Sequence, residues 1–258
     1  KEAWVVETVD RHWVAEKVKG FRSISNGLTI ETDFDLASEG LKDFAQQQGL
    51  TRGKDFNFRK IFSDRFYTYF SHCKVRQALS TELGRKGAKG YDVQTAMNIL
   101  RSHHADKTDP ARTGMHSLCM HAAGMTTPSQ TTGSMVAELR PAGKSTYWFT
   151  GTAAPCLSLF KPLFIPGKKF LAGTFAEPTA KSDSSLWWRH EQLHRRALKN
   201  LTAAGECFLA ERNAVEDELV RAERSLYKKP AAEREKFSRA AWDQADQLLV
   251  KWTERVKS

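Results

Sequence analysis

An α+β fold is what the sequence predicts, and three observations carry that expectation. The first thirty residues hold β-branched and aromatic runs set between turn dipeptides. Short strand-like pieces recur between 117 and 150, again separated by turn chemistry. From Ser182 onward, apolar residues step by three, four or seven, the period of a helix packed along one side. A chain of 258 residues is long enough for one large domain or a domain with an appendage. The expected division is a mixed body at 1–182 and a helical hairpin at 183–258 packed on the same domain.

Taken in order, Trp4-Val5-Val6, His12 to Ala15 and Phe21 to Ile24 read as strands, with Asp10-Arg11 and Lys19-Gly20 between them. A helix is expected from Phe34, its inner face marked by Leu41, Phe44 and Ala45 and its end by Gly49. Residues 64–104 read as mostly helical, interrupted at Gly84 to Gly90, and the stripe Val93, Ala96, Met97, Leu100 marks the last helix. A loop at 106–114 precedes strand-like pieces at Ser117 to Ala122, Ser134 to Leu139 and Tyr147 to Thr150, with Arg140-Pro141-Ala142-Gly143 as a turn. A second Gly/Pro-rich stretch ends at Pro178. The seam Leu186, His190, Leu193, Ala197, Leu201, Ala204, Phe208, Val215, Leu219, Leu226 then reads as one helix. Lys228-Lys229-Pro230 breaks it, and Phe237, Ala241, Ala245, Leu248 and Trp252 define the antiparallel partner.

Composition narrows the function classes. With 40% hydrophobic residues, 15 Phe and 7 Trp, the chain has a core to build and is not a disordered polypeptide. Its formal charge is +10, but residues 183–258 hold 15 basic and 13 acidic side chains, so the excess lies upstream. There it is dispersed, with small knots at Arg85 to Lys89 and Lys168-Lys169, rather than in the dense basic stripe of a nucleic-acid protein. No run of 18 apolar residues exists, and no signal peptide opens the chain. Lys1 to Thr8 reads as a strand already under way, so sequence upstream is expected. Cys73, Cys119, Cys156 and Cys207 form no CxxC pair and sit at no finger-like spacing from histidines, so they read as buried thiols of a reducing, cytoplasmic compartment.

Residues 190–194 spell His-Glu-Gln-Leu-His, a literal H-E-x-x-H, the pattern by which a helix offers zinc two histidines and a general base. The surroundings argue against that use. Arg189, Arg195 and Arg196 flank it, and three guanidinium groups oppose a dication. A Gly-x-x-His continuation is replaced by Ala197 and Asn200, while Glu206, Glu211 and Glu216 lie too far along what reads as the same helix. His190 belongs to the packing seam, so the motif reads as a polar patch on a packing helix, with no metal and no cofactor.

Longer motifs point elsewhere. "EAWVVETVDRHWVAEKV", "FRSISNGLTIETDFD", "SLCMHAAGMTTPSQTTGSMVAEL", "YWFTGTAAPCLSLFKPLFIP" and "RHEQLHRRAL" occur in the order and spacing of one family. The chain resembles the secernin-like members of the N-terminal-nucleophile cysteine dipeptidases from Glu2 to about Leu198. The resemblance implies the α+β class in a particular form: part of a four-layer αββα sandwich. It also implies hydrolysis of a small peptide or related amide by an N-terminal cysteine, whose α-amine takes the proton of its own thiol. Residue 1 is Lys, and the four cysteines are internal, so the nucleophile is expected from an upstream part of the same protein or a second chain. The partners implied are a small peptide or amide substrate and that upstream part, with a homo-oligomer also compatible; no nucleic acid and no membrane are expected. A catalytically silent scaffold that binds proteins through its long helices is the alternative.

Four residues carry the site expectations. Asn26 resembles the strand-borne asparagine that orients nucleophile and substrate, though Asn26-Gly27 also reads as a turn. His121 is read as contacting a substrate terminus, against the plainer reading of a satisfied core histidine. Thr132, within Thr131 to Ser134, offers hydroxyl and backbone donors, or simply a polar turn. Lys161 falls where the related acylases carry a basic residue, or is a solvated strand-end lysine. Trp148 and Phe149 read as core.

Overall fold

The computed structural model describes residues 2–52, 55–87, 90–105, 109–122, 129–142, 144–165 and 175–256. The protein is α+β, the described residues forming helices and two small antiparallel sheets, and it divides into two compact units, 1–90 and 91–258. Within the second unit the C-terminal helices pack on its sheet and share its core. Among the described residues no helix is long and apolar enough to cross a membrane.

In the first unit, β1 (Trp4–Val9) and β2 (His12–Lys17) form an antiparallel hairpin in the register Val9 to His12. Asp10 takes the left-handed conformation at the turn (φ 48°), which a short Asx side chain tolerates. A two-residue β3 (Leu36–Ala37) pairs with β2 where a helix was expected, and α1 (Leu41–Gln47) starts only after Gly40. Gly49 does end that helix, at φ 68°. Phe21 to Ile24 and Leu28 to Ile30 are not strands. The carboxylate of Glu7 on β1 takes up the donors of that segment, accepting from the Thr29 amide (2.8 Å), the Thr29 hydroxyl (2.6 Å) and the Ile30 amide (2.9 Å). The short α2 (Phe58–Phe62), unforeseen in the sequence, and α3 (Arg65–Phe70) are capped by Asn57 and Asp64. The longer α4 (Cys73–Lys86) runs on through Gly84, whose Cα lies under the Phe21 ring. Val14, Ile30, Leu41 and Phe58 centre this unit's core.

The second unit opens with α5 (Val93–Leu100), capped by Asp92. Its sheet is a meander of β4 (Met135–Glu138), β5 (Thr146–Phe149) and β6 (Lys161–Leu163), the last not foreseen. Ser117 to Ala122 is irregular rather than a strand. The expected hairpin of two helices is instead four, α6 (Leu186–Ala197), α7 (Leu201–Glu206), α8 (Leu209–Leu226) and α9 (Ala231–Arg255). Asn200 restarts the chain as an N-cap, accepting from the Ala203 amide at 3.0 Å, and Phe208 breaks it again. The seam survives both breaks, since Leu193, Ala197, Leu201, Ala204, Phe208 and Leu219 are all buried. Helix α9 packs on β6 and α6. Trp148, Trp252, Phe160 and Phe208 are fully enclosed, each worth roughly 2–3 kcal/mol by area. Expectations that rest on residues 88–89, 106–108, 143 and 166–174, including the Lys168-Lys169 knot, lie outside the described residues.

Candidate functional site

Three irregular segments of the second unit converge: 101–104 after α5, 117–122, and the turn 154–158 after β5. Two arginines fix the turn. Arg101, at the end of α5, donates to the carbonyls of Pro155 and Ser158 (3.0 Å each) and forks onto Glu216 of α8 with two 2.6 Å bonds. Arg212, one turn earlier on α8, donates to the carbonyls of Cys156 and Ser158, both at 3.1 Å. Burial, and then the neighbouring Arg101 charge, lower the Arg212 pKa to about 10. Glu216 also accepts the Phe160 amide at 2.9 Å. Ala154 just before the turn is held at φ 55°, a conformation costing a non-glycine residue about 1 kcal/mol. The segment at 117–122 is tied to the first by the Cys119 amide on the Ser102 carbonyl (3.1 Å) and the His104 amide on the Ser117 hydroxyl (2.9 Å).

At the meeting point stand His103, Cys119, His121 and Cys156, one nitrogen or sulfur atom from each lying within 4.8 Å of all the others. His121 Nε2 is 3.0 Å from His103 Nε2, 3.5 Å from Cys156 Sγ and 3.8 Å from Cys119 Sγ. Its other nitrogen, Nδ1, is 2.9 Å from His194 Nε2, and His194 Nδ1 is 3.0 Å from Glu191 Oε2. Gln130 and Arg195 donate to the same carboxylate. Burial alone would raise the Glu191 pKa, but the bonds from His194 and Arg195 prevail and hold it at about 2. Cys119 is pushed up by burial and stays a thiol donor. The Cys156 thiol is drawn well down by the hydrogen bond from Cys119, which with the two imidazoles outweighs burial. His103 and Cys156 also line an apolar cavity of about 420 Å³ walled by Leu157, Leu201 and Leu209.

The H-E-x-x-H lies on the packing side of α6, with His190 buried in the seam as expected. Glu191 and His194 are buried and form a relay toward His121, while His190 turns to the Ser158 hydroxyl at 3.3 Å. Burial first, and then the neighbouring Lys161 charge, lowers the His190 pKa to about 3. Glu216, expected further along the same helix, lies on α8 and serves Arg101 instead.

The expected site residues divide between the units, Asn26 in the first and His121, Thr132 and Lys161 in the second. Asn26 sits in an exposed bend of the first unit, its Oδ1 accepting from Arg76, so the turn reading fits its backbone. His121 is fully buried and faces the cluster rather than a cleft. Thr132 is exposed, and its carbonyl accepts from the Trp187 indole at 3.1 Å. Lys161 is not solvated. It is 3% exposed, its Nζ donating to the carbonyls of Thr150 and Leu159, and burial lowers its pKa to about 7. Cys207 is exposed, against the expectation of four buried thiols.

His103, Cys119, Cys156, Glu191 and His194 were missed as a group, since 53 residues separate His103 from Cys156. The local signals were Cys119-Met120-His121, because side chains at i and i+2 of an extended chain fall on the same side, and the H-E-x-x-H that holds Glu191 and His194. No protein-family model matches this chain.

Proposed function

We propose that the chain is the framework of a secernin-like cysteine amidohydrolase, part of an αββα sandwich, that cleaves small peptides or related amides. The nucleophile is an N-terminal cysteine carried by sequence outside these 258 residues. Its α-amine accepts the thiol proton and the thiolate adds to the amide carbonyl. Collapse of the intermediate expels the amine with that proton, and water then releases the acid from the thioester. The stretches resembling the family, 117–139 and 147–166, support this reading by contributing β4, β6 and all of β5 but Thr146 to one sheet.

The observation that carries it is Lys161. An amine sunk at the start of β6, with a pKa of about 7 and, among the described residues, no carboxylate in an ion pair with it, is poorly chosen for stability and well chosen for holding a charge or a proton near neutral pH. Asn26, its oxygen held by Arg76, has an amide nitrogen to offer a developing oxyanion.

The test is amine release from dipeptides by the protein with its terminal cysteine intact. Lys161→Met should lower kcat/KM tenfold or more and remove a limb of the pH profile near 7, and Asn26→Ala should lower turnover by about tenfold. Hydrolysis by the 258 residues alone would overturn the external nucleophile. No hydrolysis with the terminal cysteine present would favour the silent scaffold.

A further inference from the structure

The geometry points to a zinc-type metal site formed by His103, Cys119, His121 and Cys156, independent of the amidohydrolase reading. The first argument is metric. Tetrahedral zinc with Zn–S of about 2.3 Å and Zn–N of about 2.05 Å has ligand edges of about 3.3 Å between nitrogens, 3.6 Å between nitrogen and sulfur and 3.8 Å between sulfurs. The distances from His121 Nε2, at 3.0 Å to nitrogen and 3.5 and 3.8 Å to sulfur, lie within a few tenths of an ångström of those edges. All pairs of the four atoms stay below 4.8 Å. Two imidazoles and two thiols are the donor set of closed structural zinc sites.

The second argument is the orientation of His121. The Glu191 carboxylate is acceptor only, so His194 must give it Nδ1–H. With His194 neutral, its Nε2 is then an acceptor, and His121 must give it Nδ1–H. That leaves His121 Nε2 as a bare lone pair aimed at the other three donors. A carboxylate–histidine relay behind a ligating imidazole is how metal sites fix the tautomer and strengthen the ligand. Here the literal H-E-x-x-H supplies the relay, and neither of its histidines belongs to the four donor groups.

The third argument concerns charge and order. Arg101 and Arg212 stand beside the cluster, which would oppose a bare dication. A divalent ion bound by two thiolates and two neutral imidazoles carries no net charge, the two thiol protons having passed to water. The three segments joined here have no strand or helix of their own where the donors sit, yet Cys119 and His121 are completely enclosed. Ordering irregular buried backbone costs about 1–2 kcal/mol per residue, and a metal cross-link is one way to offset it.

The experiment is cobalt titration of the reduced 258-residue protein, with metal analysis of the protein as purified. One equivalent of zinc, displaced by cobalt with a tetrahedral spectrum and a thiolate charge-transfer band, is expected. Cys119→Ser and Cys156→Ser should each remove much of that band, and Cys73→Ser and Cys207→Ser should leave it unchanged. His194→Gln keeps all four donors, so it should preserve the spectrum and weaken binding about 10–100-fold. Wild-type protein that takes up no cobalt, a band indifferent to Cys119 and Cys156, or a Cys119–Cys156 disulfide in the isolated protein would each overturn the assignment. Should a cysteine variant fail to fold, the wild-type spectrum and His194→Gln still decide it.

Discussion

Lys161 shows how one side chain can set the pH dependence of a whole unit. An unfolded lysine titrates near 10.4, the buried one at about 7. Below 7 both states are charged, and the folded state bears the full cost of an enclosed ammonium. Between 7 and about 10.4 the unfolded chain holds a proton that the folded chain has shed, so stability rises with pH. Lys161→Met should abolish that rise and be the more stable protein at pH 6, by on the order of 3–5 kcal/mol less the two lost carbonyl contacts. Unfolding free energies of both proteins at pH 6 and 9.5 check this, and parallel slopes would refute it. Glu7 instead stabilises its unit, its carboxylate accepting from the Thr29 amide and hydroxyl and from the Ile30 amide. Glu7→Ala should cost about 2–4 kcal/mol in denaturant unfolding, because those buried amides lose their acceptor. Neither side chain declared its environment in the sequence: a lysine reads as solvated and a strand glutamate as outward-facing until the neighbours that bury them are known.

Among the elements, Gly49 and Pro230 were legible as helix boundaries, whereas the caps Asp92 and Asn200 and the breaks in the long seam were not. Gly49, Asp92, Asn200 and Pro230 stand where helices stop or start because each acts through its own backbone or its own side chain. The seam from Leu186 to Leu226 was read as one helix, since apolar period persists across the breaks at 198–200 and 207–208. Period reports which residues face inward, and a chain can keep facing inward while it turns. Helix α4 offers a test in which propensity and packing disagree. Ala replacing a mid-helix glycine normally gains about 1 kcal/mol. At Gly84 an added Cβ would lie 2.0 Å from the Phe21 ring, so Gly84→Ala should instead destabilise by about 1–3 kcal/mol. Phe21→Leu together with Gly84→Ala should recover part of the loss, and thermal unfolding of the pair reads it.

For the whole molecule, the second unit is closed by charge as well as by apolar packing. Arg101 from α5, the 155–158 turn and Glu216 from α8 form one buried knot. Glu216→Ala leaves the buried Arg101 guanidinium without its carboxylate and the Phe160 amide without its acceptor, and should cost about 3–5 kcal/mol, or roughly 10 °C of melting temperature. A shift of only a degree or two would mean that water reaches Arg101 and replaces the lost partner. The sequence by itself determined the α+β class, the faces that turn inward, the helix boundaries at Gly49 and Pro230 and the absence of a basic stripe, because periodicity, turn chemistry and composition act over a few residues. Only the tertiary structure decided that Lys161 is buried, that the helical tail shares one core with the second sheet, and that His194 and Glu191 stand behind a cluster of two histidines and two cysteines. Those facts depend on contacts between residues tens of positions apart, and no short-range pattern encodes which of many apolar faces and polar side chains the folded chain will bring together.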